Sequence, residues 1–451
     1  MALKVAKLKV AKFGGTSLAQ ASQVAKVRSI IEQDPARRFV VVSAPGKRSS
    51  DDQKITDILY LCHELASQHL PIADLWHRVE DRFLQIASEL KVDFDMKPDL
   101  DAARAGIEKA GADGLGPDFA ASRGEYLNAK LIAALMGWEF VDAAELIKFD
   151  DSGRMQAGPT YLAAAEKLSQ VERAVIPGFY GADPTGYVKT FSRGGSDVTG
   201  AIVARSVEAD IYENWTDVSG LLMTDPRIVE NPKPIQVITY RELRELSYMG
   251  ASVLHEDAVF PVRQTAIPVN IRNTNRPEDD GTLIMSIAAA QAARNTPAAA
   301  ISGIAGRKDF SVITVEKAMM NAEIGFGRKV LSVLEDHKVS FEHAPSGIDT
   351  LSVVVSTDSL KKSQQQVLDE IRFRVEPDSV EVEDGLALIA TVGRGMARHP
   401  GTAATLFSAL AKADVNVRLI DQGSSELNII VGVSASDFNG AVKAIYHAFV
   451  D

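Results

Sequence analysis

Apolar positions along the chain change spacing in a way that marks its organisation. An alternating run, Leu8-Lys9-Val10-Ala11, leads into Lys12-Phe13-Gly14-Gly15-Thr16-Ser17, and apolar residues at helical spacing follow at Val24, Val27, Ile30 and Ile31. This predicts a strand, a tight glycine turn and a helix start, with Thr16 or Ser17 capping the helix. Phe39-Val40-Val41-Val42-Ser43, ending in Ala44-Pro45-Gly46, reads as a strand of a buried parallel sheet. From about residue 54 to 110 the spacing is helical (Ile55, Ile58, Leu59, Leu61, then Leu75 to Leu90), which predicts a helical lobe. Strands and helices then alternate again. Ser122 to Leu135 and Asp197 to Val207 read as helices, and Glu139 to Val141, Ala174 to Ile176 and Ile211 to Glu213 as strands. The pattern continues to about Ile284 and predicts an α/β, three-layer sandwich with helices on both faces of a mostly parallel central sheet.

The alanine-rich stretch 287–300 reads as a linker. Beyond it the texture changes to short strands with one helix between them, and the chain repeats itself at an offset of 76 residues. Gly325 meets Gly401, Ser332 meets Ser408, Leu334 meets Leu410, Val339 meets Val415, Gly347 meets Gly423 and Leu351 meets Leu427. Each unit reads strand, glycine-led helix, strand, glycine turn, strand, and two such units would lie side by side. Because Ile301 to Ile304 precede the first unit, the expected division is 1–286, a linker 287–300, a first repeat 307–383, and a discontinuous second repeat of 301–306 with 384–451.

At 451 residues the chain is long enough for about three domains. Its 46% hydrophobic and 24% charged residues are globular values, and a formal charge of −11 argues against nucleic acid or an anionic membrane as the main partner. The single cysteine, Cys62, excludes an internal disulfide and a cysteine-based zinc site, and the eight histidines show no ligand spacing, so no metal-ligating residues are expected. There is no apolar run of bilayer length and no signal-like h-region, so a cytoplasmic, reducing setting is expected. Leu3-Lys4-Val5-Ala6-Lys7 is repeated as Leu8-Lys9-Val10-Ala11-Lys12, and only the second copy runs into Phe13-Gly14-Gly15.

Polar clusters fall at the predicted strand ends, where open α/β sheets place ligands. Gly14 and Gly15 would let an anion approach backbone N–H groups, although an ordinary βα turn has the same appearance. Ser43 follows the second strand, with Thr56 downstream. In Ser122-Arg123-Gly124-Glu125 an acid stands at an expected helix start, where a cap favoured by the helix dipole is the plainer reading. Phe191-Ser192-Arg193-Gly194-Gly195-Ser196-Asp197 combines two glycines, a guanidinium, a hydroxyl and a carboxylate. The stretch from Trp215 to Arg227 carries two Thr-Asp pairs beside apolar groups, a mixture that suits a nucleoside. No GxxxxGK[ST] occurs, so phosphate would not be bound in the Walker manner.

Together, KFGGTS at 12–17, SRGE at 122–125, FSRGGSD at 191–197, WTDVSG with MTDPR at 215–227, and MGASVLH at 249–255 resemble the aspartate kinases of the amino-acid kinase superfamily. The likeness covers essentially the whole chain, and the C-terminal repeat is similar to the paired, ferredoxin-like α+β ACT domains of those enzymes. The resemblance implies ATP-dependent phosphorylation of the L-aspartate side-chain carboxylate to 4-phospho-L-aspartate, the first step toward lysine, threonine and methionine, with ATP and Mg²⁺ as cofactors. It places Lys12 against the transferring phosphoryl group, oriented by Asp197, with Gly14, Gly15 and Ser17 around the phosphate oxygens. Arg193 would clamp the α-carboxylate and Glu125 would take the α-ammonium, while Ser43, Thr56, Phe179, Gly195 and Ser196 line the amino-acid side. Thr216, Asp217, Thr224, Asp225 and Arg227 would hold the nucleotide, together with Ser252, which stands where other members have a lysine; Glu256 likewise stands where proline is common.

The resemblance also implies feedback control by amino acids bound between ACT units of two chains, in a homodimer or a dimer of dimers. Met320, Gly325, Phe326, Ser340, Phe341, Glu342, Gly347, Ile348 and Asp349 occupy the corresponding places. The acids Glu342 and Asp349 could receive a cationic side chain, which favours lysine as effector, possibly joined by threonine; solvated loop acids are the plainer reading. Another amino-acid kinase acting on glutamate or acetylglutamate, or a sensor whose kinase half has decayed, are the alternatives. The repeat argues against the first, and Lys12, Arg193 and Asp197 against the second.

Overall fold

The computed structural model describes residues 7–192, 194–251, 254, 256–292 and 300–450. It divides into two compact units, one of Met1–Leu221, Pro234–Tyr240 and Val253–Ala293, the other of Leu222–Lys233, Arg241–Ser252 and Arg294–Asp451.

The first unit is built on strands β1 (Lys9–Phe13), β2 (Arg37–Val42), β3 (Glu139–Phe140), β4 (Ala174–Pro177), β7 (Ile211–Thr216), β8 (Val237–Thr239), β9 (Val269–Asn273) and β10 (Thr282–Met285), while β5 (Tyr180–Ala182) and β6 (Val188–Thr190) form a separate antiparallel pair. The eight strands lie in the order β3-β4-β2-β1-β7-β9-β10-β8, and every pairing is parallel except β9 with β10. The chain leaves β1 for β2 on one side and returns to β7 on the other, so the carboxyl ends of β1, β2 and β7 form a topological switch point.

The helices are α1 (Ala21–Glu32), α2 (Ile55–Ser67), α3 (Ala73–Glu89), α4 (Lys97–Ala112), α5 (Asp118–Met136), α6 (Ala143–Leu146), α7 (Ala157–Ser169) and α8 (Gly195–Ser206). The helical lobe expected from 54 to 110 is α2 to α4. Its stripe of Ile58, Leu59, Cys62, Trp76, Val79, Phe83 and Ile107 shares one core with Ala11 and Phe13 of β1 and Leu127 of α5. Burial pushes the Cys62 thiol up to about 11, so it is an inert packing group. Alternation along β1 sends Lys12 to the opposite face, against α8. There α8 packs on β1, β2 and β7, and a Cβ at Gly200 would come within 2.5 Å of the Tyr212 hydroxyl, so this glycine lets the helix lie close to the sheet.

On the face of the sheet opposite Lys12, Glu213 of β7, paired with Ala11, is 1% exposed and is held by Arg37 Nε at 2.6 Å, Lys9 Nζ at 3.2 Å and the Trp215 indole N–H at 2.9 Å. Three donors keep its carboxyl below the ordinary glutamate value despite burial, which acts in the opposite direction. α9 (Tyr240–Tyr248) belongs to the second unit from Arg241 onward, and the first unit resumes with α10 (Phe260–Gln264) and α11 (Ile287–Ala292). The stretch expected to be a linker therefore begins as a helix, as its alanine content favours; 293–299 lie outside the described residues.

The second unit holds a six-stranded antiparallel sheet in the order β12-β13-β11-β14-β16-β15, made of β11 (Gly303–Glu316), β12 (Phe341–His343), β13 (Thr350–Ser356), β14 (Ser379–Val392), β15 (Leu419–Asp421) and β16 (Asn428–Ser434). Its helices are α12 (Phe326–Asp336), α13 (Thr357–Lys361), α14 (Gln364–Val375), α15 (Thr402–Lys412) and α16 (Phe438–Val450). The long strands β11 and β14 each serve both halves. Phe310–Glu316 pair with β13, whereas Gly303–Arg307 lie opposite Leu388–Val392, which pair in turn with β16. The 76-residue repeat has a backbone counterpart: Gly325 at φ 82° and Gly401 at φ 94° take the left-handed conformation at the N-caps of α12 and α15.

Removing one partner of the buried cluster should expose how much the centre of the first unit depends on it. Glu213→Met leaves Arg37 buried without its carboxylate, and urea unfolding should show a loss of about 3–5 kcal/mol in the transition of this unit. A loss below about 1 kcal/mol would mean that Arg37 re-solvates freely.

Candidate active site

The loops that leave β1, β2, β4 and β7 converge because the parallel ladder continues beyond the strands. Ser43 N–H donates to Phe13 O, Gly178 N–H to Val42 O, Gly14 N–H to Trp215 O at 2.9 Å and Gly46 N–H to Gly15 O at 2.8 Å. A Cβ on Gly46 would lie 2.6 Å from the Gly15 carbonyl carbon, so the glycine turn and the Ala44-Pro45-Gly46 turn approach backbone to backbone. The Gly14 amide is thus engaged. Among the described residues the N–H groups of Gly15 and Thr16 have no partner, which leaves them free to donate to an anion.

Two expectations about this turn are corrected. Gly15–Leu18 is a short 3-10 turn and α1 begins at Ala21 with Gln20 as its N-cap, so neither Thr16 nor Ser17 caps that helix. Ser17 is 2% exposed and its hydroxyl lies 2.8 Å from that of Thr274, turned inward rather than toward the mouth.

Lys12 and Asp197 meet. Lys12 is 7% exposed, and its Nζ is 2.5 Å from Oδ1 of Asp197, in the first turn of α8. Asn214 lies directly across from Lys12 in the β1–β7 register and donates from Nδ2 to the same oxygen at 2.9 Å, while the Tyr212 hydroxyl donates to the Asp197 carbonyl at 3.1 Å. One carboxylate oxygen thus fixes both the ammonium and a strand residue. A Cβ on Gly14 would sit 3.6 Å from the Lys12 Nζ, so the ammonium lies beside the glycine turn.

Beyond β4, Phe179 adopts φ 80°, and its N–H donates to Thr199 Oγ1 at 3.1 Å. Any Cβ on Gly178 would strike Ser196 at 2.5–2.8 Å, and one on Gly195 would strike Phe179 at 2.6 Å. The Gly178-Phe179 turn and the start of α8 are therefore in van der Waals contact, which places Phe179, Gly195 and Ser196 together. Ser43 and the first turn of α2, with Thr56, border the same mouth, since Ile55 N–H reaches Pro45 O at 3.4 Å. Arg193 and Ser252 lie outside the described residues.

Glu125 is not at a helix start. α5 begins at Asp118, so the acid stands two turns in, 5% exposed, and the dipole-cap reading fails. A Cβ on Gly124 would come within 2.7 Å of Ala44 Cβ, so the helix lies close to the loop after β2. The carboxyl accepts from the Ala44 N–H, but its Oε2 is buried with no partner among the described residues. Burial pushes its pKa up to about 8, against the smaller opposing pull of backbone N–H groups, Arg123 and Lys12. A carboxyl beside the mouth with one oxygen unpartnered is suited to receive a cationic group.

Thr216 ends β7 and exposed Asp217 follows it, with Thr216 donating to Asp217 at 3.2 Å. Thr224, Asp225 and Arg227 fall in the second unit, where Thr224 is buried and Asp225 pairs with Arg227 at 2.6 Å. In the same unit Met320 and Phe326 are 7% and 4% exposed and belong to the hydrophobic core, so their side chains do not line a surface. Gly325 caps α12, and Ser340, Phe341, Gly347 and Ile348 are exposed. The two acids already have partners: Glu342 accepts from the Tyr248 hydroxyl, and Asp349 from the Met319 N–H at 2.8 Å. Among the described residues no group of three or more His, Cys, Asp or Glu side chains is arranged to hold a metal.

Sequence reasoning missed Asn214, Asn128 and Arg82. Arg82, on the apolar face of α3 and 4% exposed, donates to Ala19 O at 3.3 Å, to Gly46 O at 3.0 Å and to Asp52 at 2.7 Å, tying both glycine-bearing turns to the helical lobe. A charge inside the stripe Trp76-Val79-Phe83-Ile86 was the available signal.

Residues 7–273 match the amino acid kinase family and residues 389–449 match an ACT domain. The chain is 40% identical over 457 residues to aspartokinase 3 of Bacillus subtilis, covering 98% of each. It is similar to the crystal structure of Clostridium acetobutylicum aspartate kinase with a TM-score of 0.89 at 51% identity, covering 98% of this chain and 100% of that one. For E. coli aspartokinase III in complex with lysine and aspartate, in the T-state, the TM-score is 0.74 at 25% identity, with coverage of 99% and 100%.

Glu125 makes a signed prediction. Its folded pKa of about 8 exceeds the ordinary 4.5, so between those values the native state holds a proton that the unfolded chain releases. Stability should therefore fall as pH rises through that window, by up to a few kcal/mol. Glu125→Gln should flatten the slope in denaturant titrations between those pH limits; an unaltered slope would show that Glu125 is ionised in the folded protein.

Proposed function

Because the chain belongs to the aspartokinases of the amino acid kinase family, which phosphorylate the L-aspartate side-chain carboxylate with ATP, we propose that the crevice at the ends of β1, β2, β4 and β7 carries out this transfer. The observation that carries the assignment is the Lys12–Asp197–Asn214 cluster beside the unpartnered Gly15 and Thr16 amides. An aspartate side chain, with an ordinary pKa of about 3.9, is ionised at neutral pH and needs no general base. One of its oxygens attacks the γ-phosphorus, the bond to the β–γ bridging oxygen breaks, and 4-phospho-L-aspartate and ADP are the products.

The difficulty is bringing an anion to a polyanion. Lys12 supplies a fixed positive charge at the transferring group, held by Asp197, while the glycine-turn amides donate to phosphate oxygens. Glu125 receives the α-ammonium, Arg193 the α-carboxylate, and Ser43, Thr56, Phe179, Gly195 and Ser196 shape the acceptor pocket. Thr216, Asp217, Thr224, Asp225, Arg227 and Ser252 serve the nucleotide. Mg²⁺ would arrive on the phosphates of ATP and neutralise their charge; it characteristically takes one or two carboxylates plus phosphate oxygens, and exposed Asp217 fits that donor set.

Lysine is the proposed effector, with its side-chain ammonium at Glu342 in exchange for the Tyr248 hydroxyl. Phe341 and Ile348, 45% and 70% exposed at an edge of the second sheet, support self-association through this unit. No helix among the described residues is long and apolar enough to cross a membrane, which supports a cytoplasmic enzyme.

ADP-release assays with aspartate, glutamate and acetylglutamate test the reading, and signal with glutamate alone would overturn it. Lys12→Met should lower kcat by about 10²–10³-fold with an unchanged circular dichroism spectrum, and full activity would remove the ammonium from the mechanism. Glu342→Ala should raise the lysine concentration needed for half-inhibition by about tenfold, the scale of one lost charged hydrogen bond. Identical inhibition would take Glu342 out of the effector site.

A further inference from the structure

We propose that Asn128 is a specificity-determining residue which, together with Glu125, receives the α-ammonium of the acceptor amino acid. The inference rests on the acceptor site assigned above and deepens it. Asn128 lies on α5 one turn beyond Glu125, so the two side chains share a helix face. Both are anchored to consecutive backbone groups of the loop after β2. Nδ2 of Asn128 donates to the Ser43 carbonyl at 2.7 Å, and the Glu125 carboxyl accepts from the Ala44 N–H.

The orientation of the amide follows from its partner. A carbonyl can only accept, so the nitrogen must face Ser43 and the oxygen must face away. That oxygen is buried in a residue that is 0% exposed, and it has no donor among the described residues, as is the case for Oε2 of Glu125. Two buried acceptors on one face, beside a loop of the acceptor pocket, call for a group that brings several donors and a positive charge. An ammonium has three N–H groups and fits both; a hydroxyl brings one. In the substrate-free protein the proton that burial keeps on Glu125 supplies a single donor, so binding of an ammonium would displace it.

Calorimetry on the full-length protein distinguishes the contact from a packing role, using L-aspartate and succinate, the same dicarboxylate without the ammonium. Wild type should prefer aspartate, and Asn128→Leu should cut that preference about tenfold or more, because a site built around a hydrogen-bonded group rejects the analogue that lacks it. Asn128→Asp keeps an acceptor and should hold the preference within about threefold. Equal weakening of both ligands in Asn128→Leu, or an unchanged ratio, overturns the proposal. Equal loss of preference in both variants assigns the effect to the Ser43 contact and overturns it too.

Should Asn128→Leu fail to fold, Asn128→Ala is read on the same aspartate-to-succinate ratio: a preference cut about tenfold or more supports the contact, and an unchanged ratio overturns the proposal. Binding is read without turnover, so a protein that discriminates as predicted yet transfers no phosphoryl group to aspartate would refute the catalytic reading alone.

Discussion

The ion pair between Lys12 and Asp197 is the constraint around which the first unit is arranged. A lysine that is 7% exposed on a central strand is tolerable only with a partner, because an unpaired ammonium there would have lost its hydration without compensation. The partner comes from the first turn of α8, and α8 can reach it only because Gly200 lets the helix settle against Tyr212. Asn214 then donates to the same carboxylate oxygen. Strand order, the small residue in the helix and the polar residue in β7 are thus three requirements of one contact. The ammonium that results is held beside the glycine turn, which is what transfer between two anions requires.

Much of this was legible in the chain. Continuous β-branched runs broken by glycine turns identified the parallel strands, and helical spacing from 54 to 110 identified the lobe, because both signals are local. Lys12, Asp197 and the glycine turns could be picked out because they fall at strand ends. What escaped were polar residues whose partners are distant in sequence. Arg82 sits in an apolar helix stripe, and only the fold shows that it holds the carbonyls of Ala19 and Gly46. Asn128 and Asn214 likewise look like interruptions of an apolar pattern. Glu125 was placed on the correct helix but at its first turn and not two turns in, since the periodic signal marks a helix face far better than its first residue.

In the second unit the repeat was readable because both copies need a residue with positive φ at the same place, before α12 and before α15, and glycine meets that need at least cost. Less visible was the way the segment Arg241–Ser252 joins this sheet. Glu242 accepts from the Ser302 hydroxyl at 2.7 Å and from the Arg394 N–H at 2.9 Å, Glu245 accepts from Asn428 at 2.7 Å, and Tyr248 donates to Glu342. Successive turns of α9 are therefore tied to residues beside β11, β14, β16 and β12.

The costs carried by the first unit point to the same crevice without help from any relative. Phe179 holds a positive φ that a non-glycine residue adopts only under constraint, and it lies where Gly178 and Gly195 allow backbone contact with α8. Glu125 and Asn128 each bury a side-chain oxygen with no partner among the described residues, and His63 Nδ1 and Trp76 Nε1 are likewise unpartnered deeper in the lobe. A sequence selected for stability alone could relieve the first of these by glycine at 179, whereas leucine at 125 or 128 would strand the Ala44 N–H or the Ser43 carbonyl. That they remain together, within a few residues of the loops after β2 and β4, is a physical argument that the crevice is kept for a ligand. The unpaired acceptors further specify that the ligand brings positive charge to one wall, while Lys12 and the glycine-turn amides call for negative charge at the other.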